Sequence, residues 1–297
     1  MELDPRQPVC LVCGGEIRHW GSKHRRGQTY EYDRCKDCGF AFVNPRPSMA
    51  ALAEHYSAPI ADGSEKVPAV TAAVPGEKRE IGWWPGAVIR QLTTLRAGPG
   101  MMLDIGAADG AYCIAALRAG LSVTALEIDP VDLPALRAAG EIRIVQSLFE
   151  EFDATPGAFD YILMSHVLEH VHDPAAWIEK AARLLSEGGV LAVMLPHFDS
   201  LWRYLWGTGD PYFIPPDHLN HFTARSLDRV CDRFGLKTAK AYSETRLPED
   251  VVSKRLPAGS VLRPVVRAAT RAGSVVLDGA TRIMGMGSVL IHYGVKR

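Results

Sequence analysis

The chain has 297 residues, 47% hydrophobic and 23% charged, with a formal net charge of −1. This composition excludes a disordered or fibrous protein and leaves enough apolar material for one large core plus a small appendage. Near-neutral charge argues against a polyanion as the general partner, although a local basic patch stays compatible with it.

The first residues, Met1 to Pro5, lack the positive and apolar parts of a secretion signal, and no apolar run is long enough to span a bilayer. The expected compartment is therefore the cytoplasm, where cysteines serve as thiols or metal ligands before disulfides. Cys10-Leu11-Val12-Cys13-Gly14 and Cys35-Lys36-Asp37-Cys38-Gly39 are two CxxC knuckles, each followed by a turn glycine. Together Cys10, Cys13, Cys35 and Cys38 offer four thiolates to one tetrahedral ion, with zinc the first choice and iron the alternative. So short a segment cannot fold on its own core, so metal binding and folding should be coupled. Four protein ligands leave no open position, which makes the metal structural.

Between the knuckles lie Arg18, His19, Lys23, His24, Arg25, Arg26 and Arg34, interleaved with Trp20, Tyr30 and Tyr32. The pattern suits either a phosphate surface or the solvated hairpin of a zinc ribbon, and the neutral total favours the hairpin. Ser48 then caps a helix from Met49 to Tyr56. Ser57 to Pro75, rich in Ala, Pro and Gly, reads as a linker or a loop over the site. Glu77 to Arg96 is helical with a break or a fresh start at Pro85, and its Trp83 and Trp84 suit core packing.

Met101 to Gly110, MMLDIGAADG, reads as a buried parallel strand running into a glycine turn and a helix from Ala111 to Ala119. The next strand, Leu121 to Leu126, ends in Glu127, an acid placed to accept hydrogen bonds from both hydroxyls of a ribose. Pro130 to Ala139 follows as a helix and Ile142 to Val145 as a strand. Ala158 to Met164 is a strand that delivers Ser165, His166, Glu169 and His170 to the crevice where such sheets bind ligands. Asp173 caps the next helix and Pro174 enters its first turn. Gly189 to Leu195 is the fifth strand of the sheet. Pro196 to Phe222 carries so many aromatics and histidines that it reads as a substrate lid. Thr223 caps a helix to Phe234, Leu236 to Tyr242 is the sixth strand and Ser288 to Val295 the last. Leu256 to Met284 is helical, with Arg263, Arg267 and Arg271 stepping along one face. Such a helix either lies on an anionic membrane or packs on the domain as an extra cover, the commoner outcome.

Four of these segments, Asp104 to Gly110, Glu127, Phe159 to Val171 and Leu184 to Leu191, resemble the successive motifs of class I S-adenosylmethionine-dependent methyltransferases. The resemblance spans Gly98 to Tyr242 and departs at Ala108, where the family has its middle glycine. It implies an α/β fold, a doubly wound Rossmann-like seven-stranded sheet, preceded by a small N-terminal zinc ribbon. The expected division is a ribbon over 1–47, a helical linker or cap over 48–97, and a methyltransferase domain over 98–297 with the lid 196–222 and the helical insertion 256–284.

The resemblance further implies cofactor contacts from Asp104, Gly106, Ala108, Gly110, Glu127, Ile128, Ser147, Leu148, Ser165 and His166, with Ile128 on the adenine face and Ser147 at its edge. His166, His218 and His221 are the candidate bases, since an imidazole can take the acceptor's proton. Asp217 to Phe222 resembles a segment that faces the transferred methyl in related sugar enzymes. Glu169 and His170 resemble a divalent-cation segment of some quinone-pathway enzymes, with His166 replacing a glutamate there. Ser165-His166-Val167 stands where nucleobase and amide N-methyltransferases carry an Asn-Pro-Pro-Tyr type segment. The expected acceptor is therefore an oxygen or carbon of a small biosynthetic molecule, such as a sugar, natural product or lipid. Three other readings stay open: an RNA methyltransferase that uses the ribbon as a nucleic-acid clamp, an NAD(P)-dependent oxidoreductase, and a scaffold that keeps the cofactor fold without activity, against which Asp104, Gly106, Gly110 and Glu127 argue.

Overall fold

The computed structural model describes residues 1–57, 83–128, 136–137, 140–245 and 263–297. The expected loop from Ser57 to Pro75 lies outside them but for its first residue, as do most of the expected helix Pro130–Ala139 and the start of the last helix at 256–262.

A seven-stranded sheet forms the core. Its central strand, β4 (Met101–Ile105), is apolar on both faces and pairs in parallel with β5 (Ser122–Leu126) and β7 (Phe159–Ser165). Beyond β5 lies β6 (Ile142–Val145), and beyond β7 lies β8 (Leu185–Pro196). The far edge is an antiparallel unit, β11 (Val289–Lys296) between β8 and β10 (Leu236–Glu244). The order β6-β5-β4-β7-β8-β11-β10 places the strand reversal between β4 and β7, the switch point of doubly wound sheets. The reversed β11 separates this sheet from the all-parallel six-strand order of dinucleotide enzymes.

Helices cover both faces. On one, α2 (Trp83–Leu95) and α3 (Ala111–Arg118) pack Val88, Ile89, Leu92 and Cys113 against Met102 and Tyr161. Pro85 sits in the first turn of α2, in line with a fresh start there, where its missing N–H has no helical partner to lose. On the other face α4 (Pro174–Leu184) starts as expected, with Asp173 accepting from the Ala176 amide at 3.0 Å.

The N-terminal segment is a hairpin, β1 (Ile17–Arg25) and β2 (Gln28–Cys35), joined to β3 (Ala41–Val43). A fourth strand completes that sheet from far along the chain: β9 (Asn220–His221) pairs with β3 at Ala41↔His221 and Phe42↔Asn220. The segment after β8 thus does more than cover the large sheet. Phe198, Phe213 and Leu219 share a core with Tyr30, Tyr32 and Val43 of the hairpin. The basic hairpin is correspondingly engaged inside the molecule: Lys23 Nζ donates to the Thr208 carbonyl at 2.7 Å, and Arg25 to the Asp217 carboxylate at 2.7 Å and the Pro215 carbonyl at 2.9 Å. Helix α1 (Met49–Ser57) adds His55, whose Nε2 lies 2.8 Å from the other Asp217 oxygen. Next along the chain lies the short α5 (Leu201–Trp206).

Helix α6 (Ala224–Arg233) begins with Thr223 and Ser226 capping each other. The last helix, α7 (Arg263–Ile283), packs in an unexpected sense. Its polar residues meet the end of β10, with Asp278 accepting from the Thr245 amide, Thr281 bonded to the Thr245 hydroxyl and Arg282 donating to Glu244. Val265, Val275, Val276 and Ile283 remain 64 to 89% exposed. The polar groups that end β10, rather than helix amphipathicity, decide this orientation.

Thr223 Oγ1 both accepts from the Ser226 amide at 3.0 Å and donates to the Cys38 carbonyl at 2.9 Å, all of it buried. Thr223→Ala should therefore lower stability by about 2 kcal/mol, one cap plus one buried hydrogen bond, measurable as a shift in the urea midpoint.

Candidate functional site

The site begins where β4 ends. Gly106 and Gly110 both adopt left-handed backbone, φ +70° and +77°, and a Cβ would lie 2.7 Å from Val167 Cγ2 at the first and 2.6 Å from Leu136 Cδ2 at the second. Both glycines are thus required by backbone and packing together. Ala108 shares the left-handed region at φ +44°, so the turn keeps its shape where its middle glycine is missing, at a cost in backbone strain.

Glu127, 8% exposed, faces this turn. Its Oε2 accepts from the Ala108 amide and its Oε1 from the Ile128 amide, each at 2.7 Å, so the carboxylate ties the tip of β5 to the glycine turn. Beside it Ile128 and Leu148 stay 54% and 46% exposed, two large aliphatic side chains left uncovered at the carboxyl edge of the sheet. Ser147 lies between β6 and Leu148, its hydroxyl donating to the Leu148 carbonyl at 3.0 Å. A carboxylate, a backbone cradle and an uncovered aliphatic pair suit the ribose and base of a nucleoside.

Asp104 lies beneath the turn, 1% exposed. Burial, with Glu127 and Asp109 nearby, pushes its carboxyl up to about 7 despite a hydrogen bond from the Cys113 thiol at 3.2 Å. Its Oδ1 has no hydrogen-bond partner among the described residues. An orphaned buried acceptor below the glycine cradle fits a cationic or N–H donor supplied by a ligand.

Ser165 and His166 crown β7. Ser165 Oγ lies 3.5 Å from the Tyr112 hydroxyl, which also receives the Trp84 indole N–H at 3.0 Å. Trp84 is buried as expected, but its polar end reaches through Tyr112 to the site edge. Composition and spacing gave Tyr112 no distinguishing signal. His166 adopts φ +55°, its amide donating to the Met194 carbonyl at 2.8 Å. That conformation aims the imidazole back at Glu169, Nδ1 lying 3.1 Å from Oε1.

Glu169 is the centre of a cluster with His166, His170 and His218. It is 1% exposed, and its Oε2 has no partner among the described residues. Burial works to raise its pKa, but the His166 hydrogen bond and the nearby His170 and His218 outweigh it and hold the carboxyl below its usual range. His170 Nδ1 lies 2.8 Å from the Asp217 carbonyl and His218 Nδ1 2.8 Å from the Tyr212 carbonyl. A carbonyl only accepts, so both imidazoles carry a proton on Nδ1 and direct Nε2 toward the cluster. Burial first, then the neighbouring His170, pulls His218 down to about 4, so it is neutral at physiological pH. Glu169, His170 and His218 each offer a ligand atom within 4.8 Å of the others. The structure thus brings together His166 and His218 of the three expected bases. His221 sits apart, 2% exposed and stacked on Phe213 at 4.0 Å, with burial holding it well below its usual pKa.

The four knuckle thiols also converge. Cys10 and Cys38 Sγ are 3.6 Å apart and Cys13 and Cys35 Sγ 3.5 Å, close to the edge of about 3.8 Å for a tetrahedron with metal–sulfur bonds of about 2.3 Å. The hydrogen bond between Cys38 and Cys10 pulls the Cys10 thiol down and pushes the Cys38 thiol up, so the metal-free pair shares a proton that a bound ion would displace.

Residues 81–241, more than half of the chain, match the family described as "Methyltransferase domain". Ubiquinone biosynthesis O-methyltransferases of Xanthomonas campestris and Xylella fastidiosa are each 35% identical, over 96 and 101 residues, or 30% and 31% of this chain. The chain spans 40% of the length of these curated relatives. Among solved structures, a SAM dependent methyltransferase from Archaeoglobus fulgidus superposes with a TM-score of 0.51 at 16% identity, covering 72% of this chain and 94% of that one.

Asp104 supplies a pH signature. Its native carboxyl, held near 7, keeps a proton that the unfolded chain loses near the ordinary aspartate value of about 3.9. Its contribution to stability is therefore greatest at acid pH and declines as pH rises from about 4 through 7. Asp104→Asn should flatten that decline in a urea-unfolding series run across this range.

Proposed function

The chain belongs to the methyltransferase domain family, and on that premise we propose that it transfers the methyl group of S-adenosylmethionine to an oxygen or carbon of a small biosynthetic acceptor. The observation that carries this reading is the pairing of two half-sites along one sheet edge. The glycine turn with Glu127, Ile128 and Leu148 forms a nucleoside cradle at β4 to β6, and a histidine–carboxylate cluster stands at β7.

S-adenosylmethionine supplies an electrophilic methyl on a sulfonium. Displacement at such a carbon needs alignment, dryness and a sink for the acceptor's proton. Glu127 would hold the ribose hydroxyls, the turn amides would approach the ligand, and Asp104 would meet its ammonium in the ionised form that such a cation favours. Ser165 and His166 border the methionine end. His166, with Nδ1 on the Glu169 carboxylate, presents Nε2 as the base; the carboxylate orients the ring and stabilises the imidazolium that forms. His218 is the alternative base from the lid side.

The name of the matched relatives supports an oxygen acceptor. The antiparallel β11 weighs against a nicotinamide oxidoreductase. The intramolecular engagement of Lys23 and Arg25 weighs against a nucleic-acid clamp. Zinc is the metal proposed for the four thiolates. The exposed apolar residues of α7 leave room for peripheral membrane contact.

Glu169, His170 and His218 form a second candidate metal site. Backbone carbonyls fix both imidazole tautomers, the arrangement typical of ligating histidines, and Glu169 Oε2 is left for an ion. Titration with Mn2+ followed by electron paramagnetic resonance should show one site weakened at least ~10-fold by His218→Ala. A signal indifferent to that substitution removes the metal and leaves the cluster as an acid–base group.

Calorimetric titration with S-adenosylhomocysteine tests the main reading. Binding in the micromolar range, weakened at least ~100-fold by Glu127→Ala, is expected, since a hydrogen bond to a charged group is worth about 1.5–3 kcal/mol and two ribose hydroxyls are lost. Absence of binding, or preference for NADH, would overturn it.

A further inference from the structure

The ribbon and the histidine–carboxylate cluster meet through two buried side chains that the proposed chemistry does not use. Arg46, three residues beyond β3, is 1% exposed. Its Nη1 and Nη2 both donate to Asn220 Oδ1 at 3.1 Å, and Nη2 also donates to the Val171 carbonyl at 3.0 Å. All these acceptors are neutral, and the carboxylates of Asp173 and Asp4 act on the guanidinium only through space, without a hydrogen bond. Enclosing a guanidinium among neutral acceptors is costly, and apolar residues of similar volume would hold two segments together at lower cost. The arrangement makes sense if direction matters more than stability.

Asn220 passes that direction on. It is 1% exposed, and its Nδ2 donates to the carbonyls of Leu168 at 3.0 Å and Val171 at 2.7 Å, so its amide is used at both ends and has one orientation. Those carbonyls flank Glu169 and His170 in the chain. From the opposite side the Leu219 and Asn220 amides donate to the Glu169 carbonyl at 2.8 and 3.0 Å, and His218 is the next residue back. The same stretch is held by the ribbon: Val43 N donates to the Leu219 carbonyl at 3.0 Å, and β3 pairs with β9. Strand β3 in turn leaves the second knuckle directly, where Cys35 N donates to the Phe40 carbonyl at 2.8 Å. The cradle at Glu127 is built differently, on β4, β5 and β6, which pair only within the large sheet.

We propose that Arg46 and Asn220 are positioning residues through which the four-thiolate ribbon sets the geometry of the Glu169, His170 and His218 cluster, while the nucleoside cradle stands independently of it. The inference rests on the reading of the cluster as the acceptor half of the site. The ribbon is then a template for half of the active site. Loss of its metal disarms the acceptor half and spares cofactor binding.

The test uses the full chain with its ribbon metal and the variants Asn220→Asp, Arg46→Lys and Arg46→Met. Asn220→Asp keeps the acceptor for Arg46 and the strand pairing but removes both N–H donors to Leu168 and Val171. Metal content and S-adenosylhomocysteine affinity report the ribbon and the cradle. Amide exchange at Leu219 and Asn220, and the 15N shifts of the His170 and His218 rings, report the cluster. Asn220→Asp should retain its metal and bind S-adenosylhomocysteine within about two-fold of wild type, while the two amides exchange at least ~10-fold faster and the Nδ1–H tautomers are lost. Arg46→Lys should recover part of what Arg46→Met loses, and chelation of the ribbon metal should reproduce the Asn220→Asp pattern. If Arg46→Met does not fold, Asn220→Asp and chelation carry the test alone. Unchanged tautomers and exchange after chelation, or cofactor affinity falling in step with them, would overturn the proposal. A wild-type protein that fails to bind S-adenosylhomocysteine sinks the methyltransferase reading instead, and leaves the exchange comparison intact.

Discussion

The main chain from His218 to His221 answers to two masters. Its amides at Leu219 and Asn220 are spent on the Glu169 carbonyl, on the side of the large sheet, while β9 and the Leu219 carbonyl pair with β3 and Val43 of the ribbon. A buried backbone segment must place every polar group, and these four residues manage it only because two sheets meet over them. Removing either sheet strands the other's partners. The arrangement of the hairpin aromatics around Phe198 and Phe213, and the Arg25 and His55 contacts to Asp217, follow from that shared segment.

The large sheet was legible in sequence because its signals are local. The apolar run Met101 to Ile105, the glycines at 106 and 110 and the acid at 127 each declare a strand, a turn or a strand tip within a few residues. Caps at Asp173 and Thr223 were equally plain, as a side-chain oxygen at the right offset is a local event. The same holds for the knuckle thiols. What stayed hidden depends on contacts far apart in sequence. Strand β9 is two residues long, shorter than any periodicity can reveal, and its partner is β3. The three candidate histidines could not be ranked beforehand, since only tertiary packing sends His221 into an aromatic stack and brings His218 to His170. The contacts of Asp278, Thr281 and Arg282 with Glu244 and Thr245 were equally hidden, since nothing local in the sequence pairs the last turns of α7 with the end of β10.

Burial acts in opposite senses on the two carboxylates of the site. Asp104 has a lone thiol as partner, and the cost of enclosing its charge wins. Glu169 is equally enclosed but has imidazoles around it, and their field wins. Near neutral pH the first carboxyl is thereby close to its midpoint while the second stays ionised, two acids in one crevice with opposite responses to the same burial.

The pairing of β3 with β9 also orders the birth of the protein. The two knuckles, at residues 10–13 and 35–38, precede the whole large sheet in the chain, so their thiols can meet before that sheet is made. The outer edge of β3 then has no strand to pair with until residues 220–221 are made, after five of the seven strands of the large sheet. Open strand edges invite the wrong partner, and a strand as short as β3 limits that hazard. Completing the small sheet is thus a long-range closure across the chain, slow by topology, and it comes before the residues that form β10 and β11 exist to finish the large one.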